Sequence, residues 1–303
     1  MRERILTFAE VDGLRDRLWA SARRPDAPIY AVLDGARDER IYSMICDSRA
    51  PWQSLYDGPL PDVVAAAAPH LVQLARDDYF SSDLIAHGFG NCWGIFVECA
   101  APFEEVRRHL RRFLRVRDPD GERLLFRFYD PRILRVFLAT CTAEQLATFF
   151  GPAVRFAVEG PGLAFTDFAP PADRTAAIEP PGVELFAIRR EQLAAFSQLA
   201  EEIFVERAAE SVAREWPHEH ARLGDDGARA LVRHGIGRAR AHGLRTERDH
   251  LRWINLMMFI GHDFDADPRR PWAAILADAR RTPSARLALV QERALHLHRG
   301  DEP

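Results

Sequence analysis

Ten of the thirty-two residues from Gly151 to Gly182 are glycine or proline. Neither a helix nor a central strand tolerates that density, because proline lacks the amide hydrogen and glycine adds chain entropy. The run divides the sequence. Before it, apolar segments of strand length alternate with amphipathic helical ones; after it, from Glu184 onward, the pattern is helical almost throughout. A chain of 303 residues also exceeds the size at which one hydrophobic core usually suffices. The expectation is an α+β fold. An N-terminal mixed sheet flanked by helices occupies residues 1–160, a Pro/Gly-rich connection 161–185, and an α-helical C-terminal lobe 186–303.

Within the first part, residues 9–22 predict a helix with Val11, Leu14 and Leu18 on one face. "PIYAVLDGA" (28–36) reads as a buried strand closed by the Asp34-Gly35 turn. "PDVVAAAAPHLVQLA" (61–75) has helical composition, broken or kinked at Pro69. "WGIFVECA" (93–100) is the next strand. "PFEEVRRHLRRFLRV" (102–116) follows as a helix with Val106, Leu110, Phe113 and Leu114 facing inward and its arginines opposite. A turn at Asp118–Gly121 leads to a strand over 123–129. Helices then start at Pro131 and at Thr142, the latter with Gln145 completing a capping box and Gly151 as its stop. Short strands are expected near 154–158 and 184–188. Further helices fit 225–242, 246–260, 271–280 and 283–298.

Composition narrows the function classes. Net charge is −4 although 41 residues are basic, and an acidic balance argues against a dedicated nucleic-acid binder. The hydrophobic fraction of 47% is that of a globular protein. Four separated cysteines, Cys46, Cys92, Cys99 and Cys141, offer no CxxC pair and read as small buried apolar residues in a reducing compartment. No stretch has the length or apolarity of a signal peptide or membrane span. The expected location is the cytoplasm, with no membrane partner.

Candidate chemistry is sparse. "GHDFDADP" (261–268) holds a His262-Asp263 pair and alternating aspartates. An EF-hand loop counted from Asp263 would need glycine at its sixth position and glutamate at its twelfth, where Pro268 and Ala274 stand. These aspartates are expected instead to cap a helix beginning near Pro271. His218 and His220, two residues apart on a helix, face different directions and cannot share one ion. GxSxG, HExxH and the Walker sequence are absent. "GFGNCWG" (88–94) precedes a strand rather than a helix, so it offers phosphate no helix N-terminus. No catalytic residue, metal ligand or cofactor is expected. The opposing readings are a metal-dependent hydrolase using the His262-Asp263 region and a nucleic-acid-binding regulator using the Arg107–Arg115 face.

The stretches "YAVLDGARDERIY", "SLYDG", "APHLVQL", "GNCWGIFVE", "FEEVRRHLRRFLRVRDPDGERLLFRFYDPRILRVFL" and "LATFFGP" occur in this order. Together, over residues 28–155, they resemble the effector-adaptor chaperones of bacterial type VI secretion, whose module is DUF4123. The resemblance implies a non-enzymatic role: binding a toxic effector and helping to load it onto a VgrG-type spike. Arg127, Tyr129, Asp130 and Arg132 carry the RFYDPR signature and are expected to define the fold first and contact a partner second. In the helical lobe, Trp253, Met257, Met258, Phe259 and Trp272 lie close in sequence. They are candidates for partner contact along an exposed apolar surface or a groove between the lobes, with core packing as the plainer role.

Overall fold

A computed structural model describes residues 6–24, 26–172 and 185–299. The chain forms two compact units that part between Leu199 and Ala200.

The first unit is built on a six-stranded sheet. Its strands are β1 (Ile29–Asp34), β2 (Trp52–Ser54), β3 (Pro69–Leu74), β4 (Gly94–Cys99), β7 (Ala153–Glu159) and β8 (Phe165–Phe168), in the order β2-β3-β1-β4-β7-β8. Every neighbouring pair is antiparallel. Antiparallel sheets often wet one face; this one is covered on both. Tyr30, Val32, Leu71, Ile95, Val97 and Phe156 point to one side, against α5 (Phe103–Arg111), α6 (Pro131–Thr140) and α7 (Ala143–Phe150). Ile29, Ala31, Leu33, Val72 and Leu74 point to the other, toward α1 (Phe8–Ala20), α2 (Glu39–Asp47) and α4 (Tyr79–Gly88). That double burial explains why β1 is apolar at successive positions instead of alternate ones. A smaller mixed sheet, β6-β5-β9, combines β5 (Arg115–Arg117) and β6 (Arg123–Leu125) in a hairpin with β9 (Phe186–Ala187) parallel to β5.

Three segments differ from the sequence expectation. Residues 69–74, expected as a kinked helix, form the interior strand β3; the helix before them, α3 (Asp62–Ala67), is short. Pro69 ends that helix yet is tolerated as the first residue of a strand, and the apolar run after it is what burial on both faces demands. The helix expected over 102–116 stops at Arg111, and 115–117 joins the small sheet instead. The strand expected over 123–129 ends at Leu125, because Phe126, Phe128 and Tyr129 turn inward to the core. The capping box of α7 forms as read, with Thr142 and Gln145 exchanging bonds and Gly151 closing at φ +48°. Of the cysteines, Cys92 and Cys99 are buried, Cys141 is half-buried, and Cys46 is exposed against expectation.

A buried ion cluster fastens α1 to the sheet. Glu98 and Arg155 stand directly opposite in the β4–β7 register and pair at 2.9 Å with both side chains at most 2% exposed. Arg155 also meets Asp167 at 2.9 Å and donates to the Leu18 carbonyl, while Glu98 accepts the amides of Arg23 and Arg24. Such a pair is tolerable in the interior because its remaining donors and acceptors are bonded.

The second unit contains the later part of α8 (Arg190–Glu215), α9 (Pro217–Ala241), α10 (Glu247–Ile260), a 3-10 turn at Phe264–Ala266, α11 (Trp272–Leu276) and α12 (Pro283–Arg299). Gly224, at φ +68°, kinks α9. The Gly/Pro-rich stretch expected to connect the lobes lies in part outside the described residues; β8, which falls within it, and β9, which follows it, belong to the first unit.

Candidate functional site

Past β6 the side chains of Phe126, Phe128 and Tyr129 are buried while Arg127 between them is about half exposed. The Asp130 amide donates to the Arg127 carbonyl at 3.0 Å, closing a turn. Asp130 then caps α6: its Oδ1 accepts the Arg132 amide at 2.9 Å, with Pro131 at the first helical position where no amide hydrogen is missed. Arg132 folds back onto the same carboxylate, Nε to Oδ1 at 3.0 Å and Nη2 to Oδ2 at 2.6 Å. That bidentate bond raises the basicity of the guanidinium. Of the partners open to Arg127, it takes a neighbouring element, approaching Asp34 at 3.5 Å.

Because the sheet is antiparallel, β1 and β7 end where β4 begins, and the α6 N-terminus is brought to that end. Burial raises the Asp34 carboxyl above its usual range, opposed by Arg127 and reinforced by Asp130. Burial, with the charge of Asp34, likewise lifts the Tyr129 phenol. Glu159 at the end of β7 accepts the Gly90 amide at 2.7 Å and the Cys92 thiol at 2.9 Å. Cys92 sits at φ +56°, and burial followed by the Glu159 charge pushes its thiol up to about 12. A thiol held protonated is no nucleophile. Each charged group here is answered by a neighbour, which is how a joint between elements is built.

Residues 29–148 match the family model DUF4123, a domain of unknown function. The match lies wholly inside the first unit. The match runs from β1 into α7 and contains the whole RFYDPR turn. The family is associated with adaptor chaperones of type VI secretion effectors and is generally non-enzymatic. Neither a curated protein nor a solved structure matches the chain.

Inside the matched region the α5 arginines have separate fates. Arg107 donates to the carbonyls of Ser54 and Tyr56, and Arg111 to that of Leu55 while also pairing with Asp57. They tie the loop after β2 to the helix, so the basic face read as a possible nucleic-acid surface is partly spent on structure. No sequence pattern announces this, since the acceptors are backbone carbonyls. Arg115, Arg117 and Arg123, on the hairpin, are exposed.

In the helical unit Trp253, Met257 and Trp272 are buried in one core with Leu231, Leu287 and Val290, and Met258 packs half-buried against it. These residues build the unit. A groove of about 440 Å³ in this unit is lined by Trp216, Phe259 and Leu295 together with polar side chains such as Arg252 and Gln291. The aspartates of 263–267 do not cap α11, whose N-cap is Pro271 without a side-chain bond. Asp265 is buried and accepts Arg238 at 2.7 Å and His242 at 2.9 Å; His242 in turn stacks on Trp253. A buried carboxylate held by a guanidinium and an imidazole outcompetes a helix cap. His262 is half-buried, His218 is exposed, and His220 meets Asp225 at 3.0 Å. Among the described residues no three His, Cys, Asp or Glu side chains converge to hold a metal ion, and no helix is long and apolar enough to cross a membrane.

Proposed function

We propose that this protein is a cytoplasmic, non-enzymatic adaptor chaperone that binds a type VI secretion toxic effector and helps load it onto a VgrG-type spike. The observation that carries the reading is the DUF4123 match over residues 29–148. The polar cluster at the sheet end supports it from the side of chemistry, because its carboxylates, arginine and thiol satisfy one another. Arg127, Tyr129, Asp130 and Arg132 serve the fold, and partner contact falls to exposed surface such as the groove at Trp216, Phe259 and Leu295. Trp253, Met257 and Trp272 act behind such a surface, as its support.

Co-purification of the full chain with the toxin and the spike encoded beside it tests the proposal. The complex should bury at least about 1,200 Å², the lower bound of a standard stable interface, and co-expression should raise the soluble yield of the toxin. If neither partner is retained at micromolar concentration, and toxin secretion is unchanged in a strain lacking this gene, the reading is wrong.

A further inference from the structure

The β5–β6 hairpin presents an unusual surface. Its register pairs Arg115 with Leu125, Val116 with Leu124 and Arg117 with Arg123. The amide of Phe126 donates to Leu114 and that of Asp118 to Glu122. Alternation therefore makes Arg117–Arg123 and Arg115–Leu125 the non-hydrogen-bonded pairs, whose side chains approach most closely. Two consequences follow. Arg115, Arg117, Arg123 and Leu125 share one face of the hairpin, all exposed. And the amide and carbonyl groups of Arg123 and Leu125 point away from β5, along the open edge of the sheet, since β6 is its outermost strand.

Like charges directly across a strand pair destabilise it, yet none of the three arginines meets a carboxylate among the described residues. The acids nearby are engaged or averted: Asp118 accepts the amides of Asp120 and Glu122, Asp120 meets Arg190, and Glu122 falls on the opposite face by the two-residue alternation. Among the described residues, three cations without a carboxylate stand beside a strand edge with no neighbouring strand, and together they specify an occupant.

We propose that this edge receives an acidic, extended segment of a partner protein, added as a further strand beside β6 with carboxylates over Arg123, Arg117 and Arg115 and an apolar residue over Leu125. A peptide strand supplies both donors and acceptors to the outward groups of Arg123 and Leu125. A nucleic-acid backbone would meet the carbonyls with phosphate oxygens, acceptor against acceptor. The inference rests on the adaptor reading only for the partner's identity, since the chemistry of the segment follows from the hairpin.

The test uses the full chain and a short fluorescent peptide of repeating Glu-Thr-Val-Thr, which sets glutamate and valine by turns along one strand face, read by anisotropy. The peptide should bind, weaken as salt rises, and lose roughly tenfold or more in affinity on the double change Arg117→Glu, Arg123→Glu. Its lysine–valine counterpart should not bind. Leu125→Pro, which removes one outward amide and keeps the charges, should weaken binding; should that variant fold poorly, a peptide N-methylated at alternate residues asks the same question of the wild-type chain. Failure of the acidic peptide to bind, or binding that ignores both variants, overturns the proposal, as does equal binding of a single-stranded oligonucleotide. A second arm separates this proposal from the adaptor reading: if the wild type retains the neighbouring toxin and the double variant retains it equally, the hairpin is not the contact and the adaptor reading stands. If the wild type retains no toxin, the adaptor reading fails and the peptide result alone decides the hairpin.

Discussion

Two adjacent regions of the first unit are both rich in arginine and use it oppositely. In the turn at 127–132, Arg132 is locked bidentate onto Asp130 and Arg127 leans toward the buried Asp34. In the hairpin at 115–125, Arg115, Arg117 and Arg123 have no carboxylate among the described residues. Arg155, with Glu98, Asp167 and the Leu18 carbonyl around it, marks the extreme of commitment. Arginine density alone thus says little about nucleic acid or ligand. What matters is whether the fold has already answered the charge.

Removing a committed arginine should cost most. Arg155→Met leaves Glu98 buried without its ion partner, and a loss of about 3–5 kcal/mol is expected, read as a lower midpoint in chemical denaturation at unchanged slope. A loss under about 1 kcal/mol would mean the pair is better solvated than its burial implies.

Next in size is a pH effect inside the same unit. His109 is buried, with Nε2 bonded to the Phe149 carbonyl at 2.8 Å, and burial lowers its pKa from 6.5 to about 4. The unfolded chain takes up a proton between those values that the folded chain refuses. Stability is therefore full above about pH 6.5 and falls as the pH drops toward 4, by roughly 2–4 kcal/mol. Burial lowers His70 in the same direction. Thermal melts at stepped pH should show the slope, and His109→Gln should flatten it.

Asp130→Ala removes the α6 cap and frees Arg132, for an expected loss of about 1 kcal/mol, measured as a modest fall in melting temperature. Smallest is Arg123→Gln. Relieving its apposition to Arg117 should leave stability unchanged or raise it by a few tenths of a kcal/mol, on the order of a cross-strand pair.

Much of the architecture was legible because it rests on local chemistry. The strands around Ile29–Asp34 and Gly94–Cys99, the α1 face, the α7 capping box and the helical second part all follow from periodicity and caps. Residues 69–74 misled because a strand buried on both faces loses its alternation and resembles a buried helix. The lone charges in otherwise apolar strands, Glu98 and Arg155, were a readable signal of a buried pair, though only register shows that they face each other. The site was less legible. The sequence marked Trp253, Met257 and Trp272 as candidates for contact with core packing as the plainer role, and their large apolar side chains fill the core of the helical unit. It also marked the RFYDPR turn as fold-defining first, and its groups answer one another, whereas the exposure of the hairpin face depends on a strand pairing that composition does not reveal.

The comparison is decided by measuring, for Asp130→Ala and for the Arg117→Glu, Arg123→Glu double variant, both the melting temperature and the toxin retained by an equal amount of folded chain. The account predicts that Asp130→Ala melts lower yet retains the toxin as the wild type does, while the double variant melts no lower and loses it. A stable Asp130→Ala that releases the toxin, beside a hairpin variant that keeps it, would contradict the account.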